Sequence, residues 1–243
     1  MTTAEMFIGK STSSTSSRMT LRAAALLAGI GLLVMVIAAP FAEMYAYPKL
    51  VVPGNASETI QNILANQTLF TLCILAFLTT YICDVLVAWA LYILLQPVHE
   101  NLSRLTAWFR LIYTVIAVVA LLDLVTVQRI LNNPDTLHLF STEQLQAQIM
   151  LALITFRSHW YFGLLFFGIH LALLGYLVMR SKYIPGFLGI LLVLAGLGYM
   201  VTTLKPLFPN LDFNLDIARF TFYGELIFML WLLIKGPRLP ELN

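Results

Sequence analysis

Residues 69–95 read LFTLCILAFLTTYICDVLVAWALYILL and contain a single charged side chain, that of Asp84. An α-helix of about 20 apolar residues crosses the hydrocarbon core of a bilayer, which is about 30 Å thick. The stretch is therefore long and apolar enough to predict a transmembrane helix.

Five further segments have the same character, and the six together predict an all-α, polytopic membrane bundle. The whole chain is 60% hydrophobic and 11% charged, with a mean hydropathy of +0.85. Soluble domains are about 45 to 50% apolar. Continuous apolar runs predict helices, because the strands of a membrane barrel alternate in polarity. The predicted spans are 21–40, 69–95, 105–129, 157–180, 184–204 and 215–235.

Proline placement agrees with these boundaries. All ten prolines fall at predicted helix ends or in connections, where a missing N–H costs little. We therefore expect the first span to end at Pro40 and no proline to interrupt a helix.

The basic residues predict the orientation, since Lys and Arg accumulate on the cytoplasmic side. An even number of spans places both termini on one side. Nine basic residues lie on the side of the termini and five on the other, which predicts cytoplasmic termini. The nine are Lys10, Arg18, Arg22, Arg104, Arg110, Arg180, Lys182, Lys235 and Arg238; the five are Lys49, Arg129, Arg157, Lys205 and Arg219.

The chain has one predicted domain, 19–243, which follows a Ser/Thr-rich cytoplasmic tail, 1–18, that is expected to be disordered. Two outer connections are amphipathic. Ser57 is a candidate N-cap for a short helix whose Ile60, Ile63 and Leu64 share one face, and Ser141 with Gln144 has capping-box spacing. Each helix either lies along the lipid headgroups or packs on neighbouring loops.

Three ionisable residues from three spans have similar predicted depths. At 1.5 Å per residue, Asp84 lies about 18 Å from the cytoplasmic helix end, and His170 and Glu225 each lie about 15 Å from theirs. Charged groups at mid-bilayer normally turn inward and find partners. The three residues are therefore a candidate ligand or proton site. Alternatively, each one separately hydrogen-bonds across a helix contact.

A second candidate site lies at the outer mouth of the fourth span, where Arg157, His159 and Asp123 are expected. Arg157 would bind an anionic headgroup there or extend to the interface. No metal or cofactor is predicted. His159 and His170 share a helix face but lie about 16 Å apart, so one metal ion cannot bind both.

Several function classes lack support in the sequence. It contains no His-Glu-x-x-His pair, no two-cysteine redox motif and no phosphate-binding glycine loop, so enzymatic activity is not favoured. The net charge is only +2, and the sequence contains no basic patch with interleaved aromatic residues. Both observations exclude nucleic acid as a partner.

Short motifs along the chain resemble those of the domain-of-unknown-function 4386 family, over about residues 20 to 236. This resemblance implies a multi-pass protein of the bacterial inner membrane and carries no established activity. Asp84, Arg110, His159, His170 and Glu225 fall within the matching stretches. These are KLVVPG (49–54), CDVLVAWALY (83–92), QPV (96–98), WFR (108–110), EQLQA (143–147), FFGIH (166–170), LGYLV (174–178), YIP (183–185), LAGLGY (194–199) and GE (224–225).

Two function classes are therefore expected for this bilayer protein. The first is an accessory or structural subunit of a larger membrane complex, or a subunit that binds a small ligand such as a lipid or pigment. The alternative is a proton-coupled small-molecule carrier that uses the midplane carboxylates. An intramembrane enzyme with a site around Arg157, His159 and Asp123 is less favoured.

Overall fold

The computed structural model describes residues 19–133, 140–205 and 217–240, with the backbone alone at 217–222. The predicted disordered tail lies outside these ranges. The described chain is all-α and contains no strand, as predicted. Its helices are α1 (Leu21–Pro40), α2 (Tyr47–Leu50), α3 (Ala56–Ala65), α4 (Gln67–Leu95), α5 (Glu100–Asn132), α6 (Thr142–Arg180), α7 (Gly186–Leu204) and α8 (Ile217–Lys235).

Five helical stretches in the described residues are long and apolar enough to cross a membrane. They are Leu21–Leu50, Gln67–Leu95, Glu100–Asn132, Thr142–Arg180 and Gly186–Leu204. These match the first five predicted spans and make the chain a multi-pass membrane protein. The sixth predicted span corresponds to α8, whose 19 residues pack between α7 and α1.

The long helices form a closed ring. In order around it, α1 packs on α4, α4 on α5, α5 on α6, α6 on α7, α7 on α8, and α8 back on α1. Arg22, at the start of α1, donates a hydrogen bond of 2.7 Å from Nε to the Leu239 carbonyl just after α8. Both ends of the described chain therefore meet at one face of the bundle, and side chains that point into the ring are shielded from lipid.

Although α1 ends at Pro40, the first span does not, so the expectation that the span ends there is wrong. The chain continues through a π-helical segment, Phe41–Ala46, into α2, where Pro48 also lies inside the helical stretch. Pro40 has φ −62° and ψ −36°, which a helix accepts, but its ring nitrogen cannot donate to the preceding turn. The wider π-helical turn follows directly, and such turns often mark functional positions.

The predicted outer helix around Ser141 is not separate from the fourth span. Ser141 and Gln144 form the predicted capping box, and α6 then runs unbroken for 39 residues, about 58 Å at 1.5 Å each. This length exceeds the hydrocarbon core, so α6 extends beyond it and does not turn along the headgroups. At α3 the N-cap is Asn55 and not Ser57.

Four glycines hold α6 and α7 in close contact. A Cβ on Gly175 would collide with the carbonyl oxygen of Gly189, and the same relation joins Gly168 and Gly196. Small residues at such positions let membrane helices approach closely. The contact places Tyr199 of α7 edge-on against Phe167 of α6, with ring centroids 5.4 Å apart.

Candidate functional site

A buried arginine lies at the centre of the candidate site. The Arg110 side chain is 1% exposed, and its Nη2 atom lies 2.6 Å from Oδ1 of Asp84, which is fully buried. The same nitrogen lies 3.6 Å from the sulfur of Met35, and the guanidinium stands 5.3 Å from the centre of the Phe167 ring. A buried charge is tolerated only when it is paired and hydrogen-bonded, and Asp84 supplies the pairing here.

The hydrogen bonds of His170 define its tautomer. Its Nε2 atom lies 3.2 Å from Nη1 of Arg110, and its Nδ1 atom lies 2.9 Å from the carbonyl oxygen of Thr106. A guanidinium can only donate, so Nε2 accepts, and Nδ1 carries a proton and donates a hydrogen bond to the carbonyl oxygen. His170 is therefore a neutral imidazole, and with Asp84 and Arg110 it forms what we call the buried triad.

Glu225 of α8 lies near the triad without joining it. Its carboxylate interacts with the Tyr199 side chain and is close enough to Arg110 and Asp84 for their charges to act on it. Within the described residues, however, no cation lies at ion-pair distance from Glu225. The structure thus brings Asp84 and His170 together through Arg110 and places Glu225 beside them.

Sequence reasoning missed Arg110 as a site residue by counting it as a cytoplasmic topology marker. That assignment is wrong, because the side chain is buried inside the ring. Arg110 lies ten residues into α5, about 15 Å from Glu100. The same depth count that selected Asp84, His170 and Glu225 would have selected Arg110, had it been applied to the basic residues.

Next to the triad lies the inner cavity, with a volume of about 210 Å³. Three of its oxygen atoms, Glu43 Oε2, Tyr81 Oη and Glu225 Oε1, have no hydrogen-bond partner within the described residues. The other lining side chains are mainly apolar or aromatic. The lining consists of Leu32, Met35, Val36, Ala39, Pro40, Glu43, Met44, Phe77, Thr80, Tyr81, Tyr113, Trp160, Leu164, Phe167, Tyr199, Glu225 and Met229.

The π-helical segment brings Glu43 into the wall of this cavity. Glu43 Oε1 accepts a hydrogen bond of 2.5 Å from Nη1 of Arg157 on α6. The guanidinium of Arg157 also lies 5.1 to 5.5 Å from the ring centres of Tyr47, Trp160 and Tyr161. Arg157 is therefore held by a carboxylate and by aromatic faces.

The predicted outer site does not assemble as one group. Arg157 pairs with Glu43, whereas His159 Nδ1 lies 3.3 Å from Oδ2 of Asp123 on α5. The two pairs involve different neighbouring elements because residues two apart on a helix point about 200° apart. His159 is 49% exposed, so its contact with Asp123 is a surface interaction.

A second hollow, the outer groove, lies on the other side of Glu43. Its volume is about 980 Å³, and Glu43 lines both it and the inner cavity. Arg157, Ser158 and Tyr161 are among its polar lining residues, while Met150, Leu153 and Phe162 are among its apolar ones. The Glu43–Arg157 ion pair thus stands between the two hollows.

The described side chains offer no metal centre. No group of three or more His, Cys, Asp or Glu residues in that part of the chain could hold a metal ion. The arrangement instead combines paired charges with a cavity that presents unpaired acceptor atoms.

Comparison with known proteins gives the family. The family model described as Domain of unknown function (DUF4386) matches residues 27–236. A relative from Archaeoglobus fulgidus, described as an uncharacterized protein, is 36% identical over 160 residues, which is 66% of this chain and 81% of the relative. No solved structure matches. The resemblance seen in the sequence motifs is confirmed, and the chain belongs to the DUF4386 family.

Proposed function

We propose that this protein binds a small amphipathic ligand in the inner cavity of its membrane-spanning bundle. The observation that carries this proposal is the set of unpaired polar atoms on a largely apolar cavity, namely Glu43 Oε2, Tyr81 Oη and Glu225 Oε1. A buried polar atom without a partner costs about 1 to 3 kcal/mol. A ligand with hydrogen-bond donors at one end and an apolar body would satisfy these atoms.

The volume limits the size of the ligand. Cavities of about 150 Å³ accept benzene, and drug-sized ligands occupy pockets of about 300 to 1,000 Å³. At about 210 Å³, the inner cavity fits a molecule slightly larger than benzene, or the polar end of a lipid. Its size therefore favours a small amphiphile or lipid over a large pigment.

The proposal is tested by filling the cavity with a larger side chain and measuring how much ligand stays bound to the purified protein. Protein purified in mild detergent should release a small amphiphile that mass spectrometry detects. Ala39 lines the cavity, so Ala39→Phe should abolish binding. Ile37 lies on the same helix but is 67% exposed on the lipid-facing side, so Ile37→Phe is the matched control and should retain the ligand. Equal retention by both variants would contradict the proposal.

A proton-coupled carrier is the second candidate, and one observation favours it. Carriers often use interrupted helices near their sites. The π-helical segment Phe41–Ala46 interrupts the first span and carries Glu43 into the cavity wall. Proteoliposomes loaded with the extracted ligand should then show proton-dependent efflux, which Asp84→Asn and Glu225→Gln would reduce. Unchanged efflux in both variants would remove the carrier hypothesis.

A further inference from the structure

The charges inside the helix ring do not balance. Among the described side chains, three carboxylates line the inner cavity or join the triad, and two guanidinium groups pair with them. His170 contributes no charge, because its Nε2 atom accepts from Arg110. With all three carboxylates ionised, one negative charge is left without a positive partner in a low-dielectric interior, where an uncompensated charge is strongly unfavourable.

Glu225 is the carboxylate without a positive partner. Asp84 has Arg110 at 2.6 Å, and Glu43 has Arg157 at 2.5 Å. Glu225 has no comparable partner within the described ranges, and its Oε1 atom is buried and unbonded there. Since Glu225 also lines the inner cavity, whatever compensates its charge can bind in that space.

The remaining walls of the cavity suit a cation. Six aromatic rings line it: Phe77, Tyr81, Tyr113, Trp160, Phe167 and Tyr199. Aromatic faces attract ammonium groups, and the attraction is stronger where the site excludes water. Tyr199 lies next to Glu225 and edge-on to Phe167, so aromatic faces and the free carboxylate occur at the same place.

We propose that the ligand of the inner cavity is a monocation, a protonated amine on an apolar body, and that Glu225 is its counter-ion. This inference rests on the proposed function, because it names the chemical class of the ligand bound in the same cavity. One positive charge on the ligand would balance the interior. The aromatic walls would surround both the ammonium group and the apolar body.

A pair of probes with the same shape tests the charge. Benzylamine and benzyl alcohol are close in size to the ring that a 150 Å³ cavity accepts. The intact protein in lipid nanodiscs should bind benzylamine more than about tenfold tighter than benzyl alcohol in isothermal titration calorimetry. In Glu225→Gln, which keeps the shape and a hydrogen-bonding group, the ratio of the two affinities should fall to about one.

The control variant is Glu58→Gln. Glu58 lies in the first turn of α3, exposed and away from the cavity, so this variant should keep the wild-type ratio. Equal affinities of the two probes for the wild-type protein would overturn the inference, because Glu225 would then hold its own proton. That comparison needs no variant, so it decides even if Glu225→Gln does not fold.

The outcomes also separate this inference from the proposed function. If Ala39→Phe removes bound ligand while amine and alcohol bind equally, ligand binding stands and the cationic class is wrong. If neither probe binds and Ala39→Phe retains as much ligand as Ile37→Phe, both proposals are wrong. A neutral or anionic ligand found in the purified protein would also overturn the inference.

Discussion

Replacing Arg110 with glutamine should destabilise the protein more than replacing its partner Asp84 with asparagine. Each substitution breaks the same 2.6 Å ion pair between two fully buried side chains. The two variants differ in the charge that they leave behind. Arg110→Gln leaves one guanidinium for three carboxylates, whereas Asp84→Asn leaves Arg110 with Glu225 still close enough to interact.

The magnitudes follow from this difference. Removing one partner of a buried pair costs about 3 to 5 kcal/mol when the other charge stays uncompensated. We expect Arg110→Gln to fall in that range. Asp84→Asn should cost about 1.5 to 3 kcal/mol, the loss of one hydrogen bond between charged groups, because Glu225 compensates the remaining guanidinium. The double variant should cost less than the two single variants added together.

The assay is reversible unfolding of the purified protein in mixed micelles, with the free energy of unfolding taken from helix content against denaturant. Arg104→Gln is the matched control. Arg104 forms a 2.7 Å pair with Glu100 on the same helix, but the two side chains are 45% and 53% exposed, so the stability should stay within error of wild type. A larger loss for Asp84→Asn than for Arg110→Gln would refute the reasoning about the excess negative charge.

Three further predictions concern other parts of the molecule. Gly175→Ala should separate α6 from α7 and lower the free energy of unfolding by about 1 to 3 kcal/mol. Gly54→Ala, at φ 77° with open space around it, should cost only about 1 kcal/mol of backbone strain. Thermal unfolding of the two variants compares these losses, and a larger loss for Gly54→Ala would contradict the packing argument. Tyr183 lies outside the membrane spans, and burial raises its pKa from 10.0 to about 12, so its stabilising contribution is complete below pH 10 and is lost as the pH rises toward 12. Tyr183→Phe should therefore flatten the plot of unfolding free energy against pH between pH 10 and 12, and an unchanged plot would rule out Tyr183 as the cause of this pH dependence. For topology, single cysteines that replace Glu100 and Ser141, in a background without the two native cysteines, should react with an impermeant thiol reagent from opposite sides of the membrane, the first from the cytoplasm. Reaction of both from the same side would contradict the predicted crossing of the membrane between these two positions.

Hydrophobic length was enough to locate the spans. A run such as 69–95 can satisfy its backbone in a bilayer only as a helix, so its secondary structure follows from composition alone. The same argument placed Asp84, His170 and Glu225 at similar depths, since helix rise is constant. Depth along a helix, however, does not specify the direction in which a side chain points or which helices are neighbours.

The order of the helices around the ring decides which charged side chains pair with each other. Arg110 was counted with the cytoplasmic residues because positive charge normally marks a loop, and only the packing of α5 between α4 and α6 shows it buried between Asp84 and His170. Arg157 was grouped with His159 on the basis of nearness in sequence. Its true partner, Glu43, lies 114 residues away and reaches it through a helix that was expected to end.

The sequence by itself therefore determined an all-α membrane class and predicted similar depths for Asp84, His170 and Glu225, because both depend on local hydrophobicity and on fixed helix geometry. The tertiary structure decided the pairing of charges, the continuation of the first span past Pro40 and the position of the inner cavity. These features depend on contacts between distant segments, and the pairing of two guanidinium groups leaves Glu225 as a carboxylate without an ion-pair partner among the described residues.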